Sequence, residues 1–186
     1  MQAIQNLNLE DTKTDRARDL FLIGAYTGLR VSDFNRLTNE NIKELPDKTK
    51  YIQITAAKTN RIVEIPINSQ VHKILKKNGN KPPKSMPEQK INLTLKTIGR
   101  LARINENVEI ERTVGGSKEK TSFKKYQLIT NHTARRSFCT NAYKAGLSTI
   151  DIMAISGHKS EAVFLKYIKI TPNERLKRLA SHEFFN

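Results

Sequence analysis

Cys139 is the only cysteine in 186 residues. It leaves no internal disulfide and no cysteine cluster for structural zinc, and it suits a reducing cytoplasm. Long apolar runs are missing too: nothing approaches the roughly 18 residues of a membrane span. The opening stretch, MQAIQNLNLEDTKTD, has neither an apolar core nor a basic leader, so no signal peptide is expected. Acid is scarce: 18 Asp and Glu stand against 33 Lys and Arg, a formal charge of +15. A chain this basic repels itself until it meets a polyanion. Nucleic acid is the first such partner to consider and an anionic membrane surface the second, against the plain alternative of a solvated basic protein.

The length suits one domain with a substantial core. Residues 7 to 15 are polar and read as a capping lead-in. The segment 16–27, RARDLFLIGAYT, places Leu20, Ile23 and Tyr26 or Thr27 on one face and predicts a buried helix that Gly28 ends or bends. VSDFNRLT, 31–38, predicts a second helix with Ser32 or Asp33 near its start. Residues 51–55 and 61–67 alternate and are β-branched, and AAKTN between them makes a β-hairpin. A short helix is expected over 69–78, a surface loop over NGNKPPKSMPEQ, and a helix over 90–104 on Ile91, Leu95, Ile98 and Leu101 or Ala102. Residues 108–113 and 121–128 predict a second hairpin with GGSKEK as a mobile tip. From His132 the pattern is helical, broken at Gly146 and Gly157. The expected class is α+β: mainly α with a small antiparallel sheet.

Three segments concentrate reactive side chains. In AYTGLRVSDFNRL, 25–37, the Gly28 turn puts Arg30 at the mouth of a helix, and Asp33 follows at i+3, where a carboxylate would hold the guanidinium. Alone, this reads more readily as an ordinary surface ion pair. In NHTARRSFCTNAYKAGLS, 131–148, His132 and Arg135 share a helix face. That pairing suits a site handling protons and an anionic oxygen, or a capping histidine beside a solvated arginine. In IDIMAISGHKSEAVFLKYIKI, 150–170, His158 follows a glycine, and Tyr167 comes nine residues later within a predicted helix. A tyrosine among apolar residues is usually core packing.

Together, TGLRVSD, then HTARRSF, then SGHKS followed by KY resemble the tyrosine recombinase (phage integrase) family over about residues 16–170. Within it the likeness is to integrases of mobile elements. The resemblance implies the family's catalytic-domain fold and a DNA breaking and rejoining enzyme. Arg30 and Arg135 would grip the scissile phosphate. Lys58, in the first hairpin's turn, would protonate the leaving 5′ oxygen, with Lys50 and Arg61 near the same hairpin. His132 would accept a proton and ligate phosphate, and His158 would hydrogen-bond it. Tyr167 would attack, and Asp33 would support Arg30. Arg136 stands where many relatives have histidine and is left out of the site.

The chemistry suits these residue types. A phosphodiester's anionic oxygens repel a nucleophile, and two guanidiniums neutralise them, more so in the pentavalent transition state. They replace the metal many nucleases use, and Asp33 is the only acid in its box, so no metal or other cofactor is expected. A 3′-phosphotyrosyl link would conserve the bond energy for rejoining.

The resemblance further implies double-stranded DNA as partner, a tetramer on paired sites, no membrane and a cytoplasmic location. It also implies that an N-terminal DNA-clamp domain is absent, leaving one catalytic domain. Residues 171–186 would form a tail anchored by Phe184 and Phe185, on a neighbouring protomer or in cis. Three alternatives stand beside this reading: a type IB topoisomerase, a DNA-binding regulator that keeps the fold without cleavage, and an RNA-binding module.

Overall fold

The computed structural model describes residues 1–115 and 117–185. A short α1 (Gln2–Gln5) leads into α2 (Thr12–Thr27), which begins where the Asp11 carboxylate accepts the Thr14 N–H at 2.7 Å. Apolar residues surround α2 instead of forming one stripe. Ala17, Leu20, Phe21, Leu22, Ile23 and Ala25 are all buried, because other helices flank it. Tyr26 is only half-buried, and its hydroxyl donates to Gln5.

Gly28 ends α2 in the left-handed region (φ 70°), and any Cβ there would lie 2.4 Å from the Phe138 ring. The next helix, α3 (Val31–Phe34), is one turn, shorter than the predicted 31–38. Asn35 ends it by exchanging two hydrogen bonds with the Met86 backbone, at 2.7 and 2.9 Å.

A sheet of β1 (Ile42–Glu44), β2 (Lys50–Thr55) and β3 (Ile62–Pro66) follows, antiparallel in that order. Alternation puts Ile52 and Ile54 opposite Ile65 and Val63, all buried against the helices. The sequence pattern predicts β2 and β3 but not β1, which takes its register from β2 through Ile42↔Ile52.

Helix α4 (Ser69–Lys77) is capped by Asn68, and α5 (Glu88–Leu101) turns Ile91, Leu95 and Ile98 fully inward. Burying each such side chain stabilises by roughly 1.5–3 kcal/mol. The arm β4 (Asn107–Val114) and β5 (Ser117–Lys124) pairs Val114 with Ser117. Ser117 to Lys120 are therefore ladder residues, not the tip predicted over GGSKEK. Cross-strand charge supports them, with Lys118 Nζ 2.9 Å from Glu111. Residues 125–128 form a 3₁₀ turn, not strand. The mobility expected of the tip centres on Gly116, which lies outside the described residues.

The C-terminal third is α6 (Asn131–Lys144), α7 (Thr149–Ser156), α8 (Glu161–Leu165) and α9 (Pro172–Ala180). α6 packs on α2. Phe138, Cys139, Ile152 and Phe164 make a second small core under α7 and α8. Among the described residues, no helix is long and apolar enough to cross a membrane.

The tail expected over 171–186 is largely α9, capped by Thr171 and Glu174. It meets α6 through polar groups: Lys144 Nζ lies 2.6 Å from Glu174, and the Arg178 guanidinium stacks 4.3 Å above the Tyr143 ring. Phe184 and Phe185 stay exposed.

Candidate active site

Arg30, Lys58, His132, Arg135, His158 and Tyr167 all line one cleft of about 690 Å³, contributed by four separate stretches of chain. Lys50 and Arg61, the other cations near the first hairpin, do not line it, and neither does Arg136.

Arg30 is the residue before α3, with extended backbone (φ −72°, ψ 159°), so its side chain leaves the helix axis. It reaches the Gly157 carbonyl at 3.4 Å. Gly157 closes α7 in the left-handed region (φ 65°), turning that carbonyl toward the cleft wall.

Arg135 is buried on α6, and its Nη1 donates to the Gly28 carbonyl at 2.7 Å. Burial first, then the Arg30 charge, lowers its pKa to about 10, so it stays cationic at neutral pH. Two fixed guanidiniums thus face one space and have few anions to spend themselves on. Among the described residues, Glu88 is the one acid on the cleft wall.

Asp33 does not hold Arg30. Its Oδ1 accepts Arg36 Nη2 at 3.2 Å and the Ala57 N–H at 2.9 Å, and among the described residues no ion pair joins it to Arg30. The expected support is therefore corrected. The extended backbone at Arg30 carries its guanidinium away, whereas Arg36 lies over the carboxylate and also donates to the Thr55 carbonyl. Asp33 instead anchors the β2–β3 turn, where Lys58 sits exposed.

His158 Nε2 lies 3.4 Å from Arg135 Nη2, and its Nδ1 lies 2.7 Å from Ser156 Oγ. Burial and the charges of Arg135 and Arg30 bring its pKa down to about 4. His132, at the start of α6, has its pKa lowered by burial and by Arg136 and Arg135. Both imidazoles are neutral at pH 7.

Tyr167 sits in the turn after α8, not within a helix as predicted. Its N–H bonds the Phe164 carbonyl at 2.8 Å, and its carbonyl accepts Thr140 Oγ1 at 2.8 Å. Its ring lies edge-on to both histidines, 4.6 Å from His158 and 5.3 Å from His132 between centroids. The half-buried ring is thus held at the cleft rather than in the core.

The cleft also includes residues the sequence reading passed over. Lys159, next to His158, adds a cation. Asn131 is 4% exposed, and neither atom of its amide has a partner. Ser156 does not line the cleft but is buried behind His158. Lys159 and Ser156 lie within the quoted SGHKS box, but nothing in the spacing marks Asn131. Among the described residues, no group of three or more His, Cys, Asp or Glu side chains is placed to hold a metal ion.

The model of the phage integrase family matches residues 1–174. No curated protein matches in sequence. Among solved structures, the XerH site-specific recombinase bound to a palindromic difH substrate superposes with TM-score 0.67 at 15% identity, covering 97% of this chain and 49% of that one. The XerA recombinase gives TM-score 0.63 at 16% identity, covering 95% and 65%. The Tn1549 transposon integrase (residues 82–397) with circular intermediate DNA gives 0.61 at 15%, covering 96% and 62%. The chain thus spans about half the length of the XerH protein, and these likenesses carry the fold. With the family model matched over nearly its whole length, the chain belongs to the phage integrase family.

Proposed function

We propose that this chain is the catalytic domain of a site-specific DNA recombinase that cleaves and rejoins strands through a 3′-phosphotyrosyl intermediate, for integration or excision of a mobile element. The observation that carries the reading is the placement of Tyr167 against two neutral histidines in a cleft with two fixed guanidiniums and a turn-borne lysine.

Arg30 and Arg135 bind the non-bridging oxygens of the scissile phosphate and gain strength as charge builds. The Tyr167 Oη attacks phosphorus and gives its proton to His132. The bond to the 5′ oxygen breaks, and that oxygen takes a proton from Lys58. Asp33 acts by positioning the turn that carries Lys58. Rejoining reverses each transfer with an incoming 5′ hydroxyl, so no net energy source is needed. The partner is double-stranded DNA, the working assembly is a tetramer on paired sites, and the setting is the cytoplasm.

Nicked duplexes carrying the sequences that flank its gene test the reading by trapping a cleaved strand. A covalent protein–DNA band on a denaturing gel that disappears in Tyr167→Phe supports it. A band that persists in the variant assigns the attack to another residue. DNA binding with no band, in the presence of an intact clamp domain, favours a regulator that keeps the fold without cleavage.

A further inference from the structure

Ser156 ends α7 and is 2% exposed, and its Oγ lies 2.6 Å from the Ile152 carbonyl and 2.7 Å from His158 Nδ1, with the buried Cys139 thiol also in hydrogen-bonding contact. A hydroxyl has one hydrogen. The carbonyl has none, and two oxygens this close repel unless a proton lies between them, so the hydroxyl hydrogen goes to Ile152. The hydrogen in the second contact must then come from His158 Nδ1. The far side of the ring gives the same answer independently. Nε2 faces Arg135 Nη2 at 3.4 Å, and a guanidinium only donates, so Nε2 must offer a lone pair.

We propose that Ser156 is a positioning residue that locks His158 as the Nδ1–H tautomer, so that His158 can donate to a phosphate oxygen only after taking up a proton at Nε2. In the free protein, the Nε2 lone pair instead helps aim Arg135. When an anion enters the cleft, the ring takes a proton from solvent, and both Nδ1 and Nε2 then donate: one to Ser156, one to the phosphate. DNA engagement is thereby linked to proton uptake. The charged and titratable groups around the ring are Arg30 before α3, Arg135, His132 and Cys139 on α6, Tyr167 after α8, Lys159 next to His158, and Lys58 and Glu88 elsewhere on the cleft wall. The cations among them keep the empty site's histidine neutral, and a bound phosphate offsets them. The phosphate step rests on the recombinase reading, whereas the tautomer does not.

The test therefore starts without DNA. Histidine ¹⁵N labelling of the protein, with His158→Gln for assignment, reads the protonation of each ring nitrogen by long-range proton–nitrogen correlation. At neutral pH the wild type should show His158 protonated at Nδ1 and bare at Nε2. Ser156→Ala should move the proton partly or wholly to Nε2, and Ser156→Thr should restore the wild-type pattern. Nε2–H in the wild type, or an unchanged tautomer in Ser156→Ala, overturns the proposal. Should the alanine variant not fold, the wild-type spectrum alone decides.

The second readout is the pH profile of adduct formation on the nicked duplex. The wild type should lose yield as pH rises, and Ser156→Ala, free to present Nε2–H without gaining a proton, should lose less. Superimposable profiles overturn the linkage. A protein that, with an intact clamp domain, binds DNA and forms no adduct but shows the locked tautomer overturns the recombinase reading and leaves the role of Ser156 intact.

Discussion

The Asp33 carboxylate accepts the Ala57 backbone N–H at 2.9 Å, across a gap of 24 residues, and so ties α3 to the turn that carries Lys58. Asp33 is almost fully buried, and Arg36 holds its Oδ1 from the other side. The acid nearest to Arg30 in sequence thus serves the lysine.

Lys58→Ala should slow strand cleavage by about 10²–10⁴-fold, the usual range for losing a general acid. Asp33→Ala should slow it in the same direction and also destabilise the fold by about 1–3 kcal/mol, since the Ala57 N–H and Arg36 lose their acceptor. A substrate with sulfur at the 5′ bridging position needs no proton to leave. It should restore cleavage in both variants and leave the Arg135→Ala defect in place. Failure to rescue Lys58→Ala would remove Lys58 from the leaving-group step.

Acid should loosen the fold through its buried histidines. His158 titrates at about 4 in the folded protein against an ordinary 6.5, and His132 is shifted in the same direction. Between those pH values the unfolded chain binds protons the native state does not. The stabilisation is therefore full above about 6.5 and is lost as pH falls toward 4. Glu174, held to about 2 chiefly by Lys144, acts mostly below that window. Thermal melts should show Tm falling from pH 6.5 to 4.5, and His158→Gln should flatten that slope.

Salt should weaken DNA binding steeply. The cleft is lined by Arg30, Lys58, Arg135 and Lys159. Each phosphate contact removed lowers the slope of log affinity against log salt by about 0.9 on duplex DNA. Arg30→Ala and Lys159→Ala should each take off about that much, and Tyr167→Phe should take off none. Fluorescence anisotropy at several salt concentrations measures all three. Binding insensitive to salt would count against an electrostatic cleft.

Gly28 carries two constraints at once. Its φ of 70° is in the left-handed region, and a Cβ would sit 2.4 Å from the Phe138 ring. Its carbonyl also receives Arg135. Gly28→Ala should cost about 1–2 kcal/mol for backbone strain and about 1–3 kcal/mol for overpacking. Denaturant melts should show the loss, and cleavage should drop further than stability alone explains, because Arg135 loses its aim.

The sequence made some of this legible and hid the rest for physical reasons. Alternating β-branched residues marked β2 and β3, because a half-buried strand needs that period. β1 has only Ile42, Lys43 and Glu44, too short to show a period, and it exists through its pairing with β2. Ser117 to Lys120 look like a loop in isolation and become strand through cross-strand charge pairs with β4. The boxes around Arg30, His132 and His158 were visible because each holds reactive types at short spacing. Asp33 had an arginine three residues away on either side, Arg30 and Arg36, and spacing could not choose. The extended backbone at Arg30 does. Ser156 and Asn131 stand out by hydrogen-bond geometry and burial, which have no sequence period.

The two arginines are fastened to the opposite half of the chain. Arg135 holds the Gly28 carbonyl, 107 residues back, and Arg30 holds the Gly157 carbonyl, 127 residues ahead. Tyr167 comes later in sequence than either pairing. During synthesis, therefore, Arg30 emerges with its guanidinium unaimed, and the proposed nucleophile follows both pairings. The proposed cutting apparatus is assembled in the same step that closes these long-range pairings. A half-made or proteolytically clipped chain should keep its positive charge and its grip on DNA while being unable to break a strand.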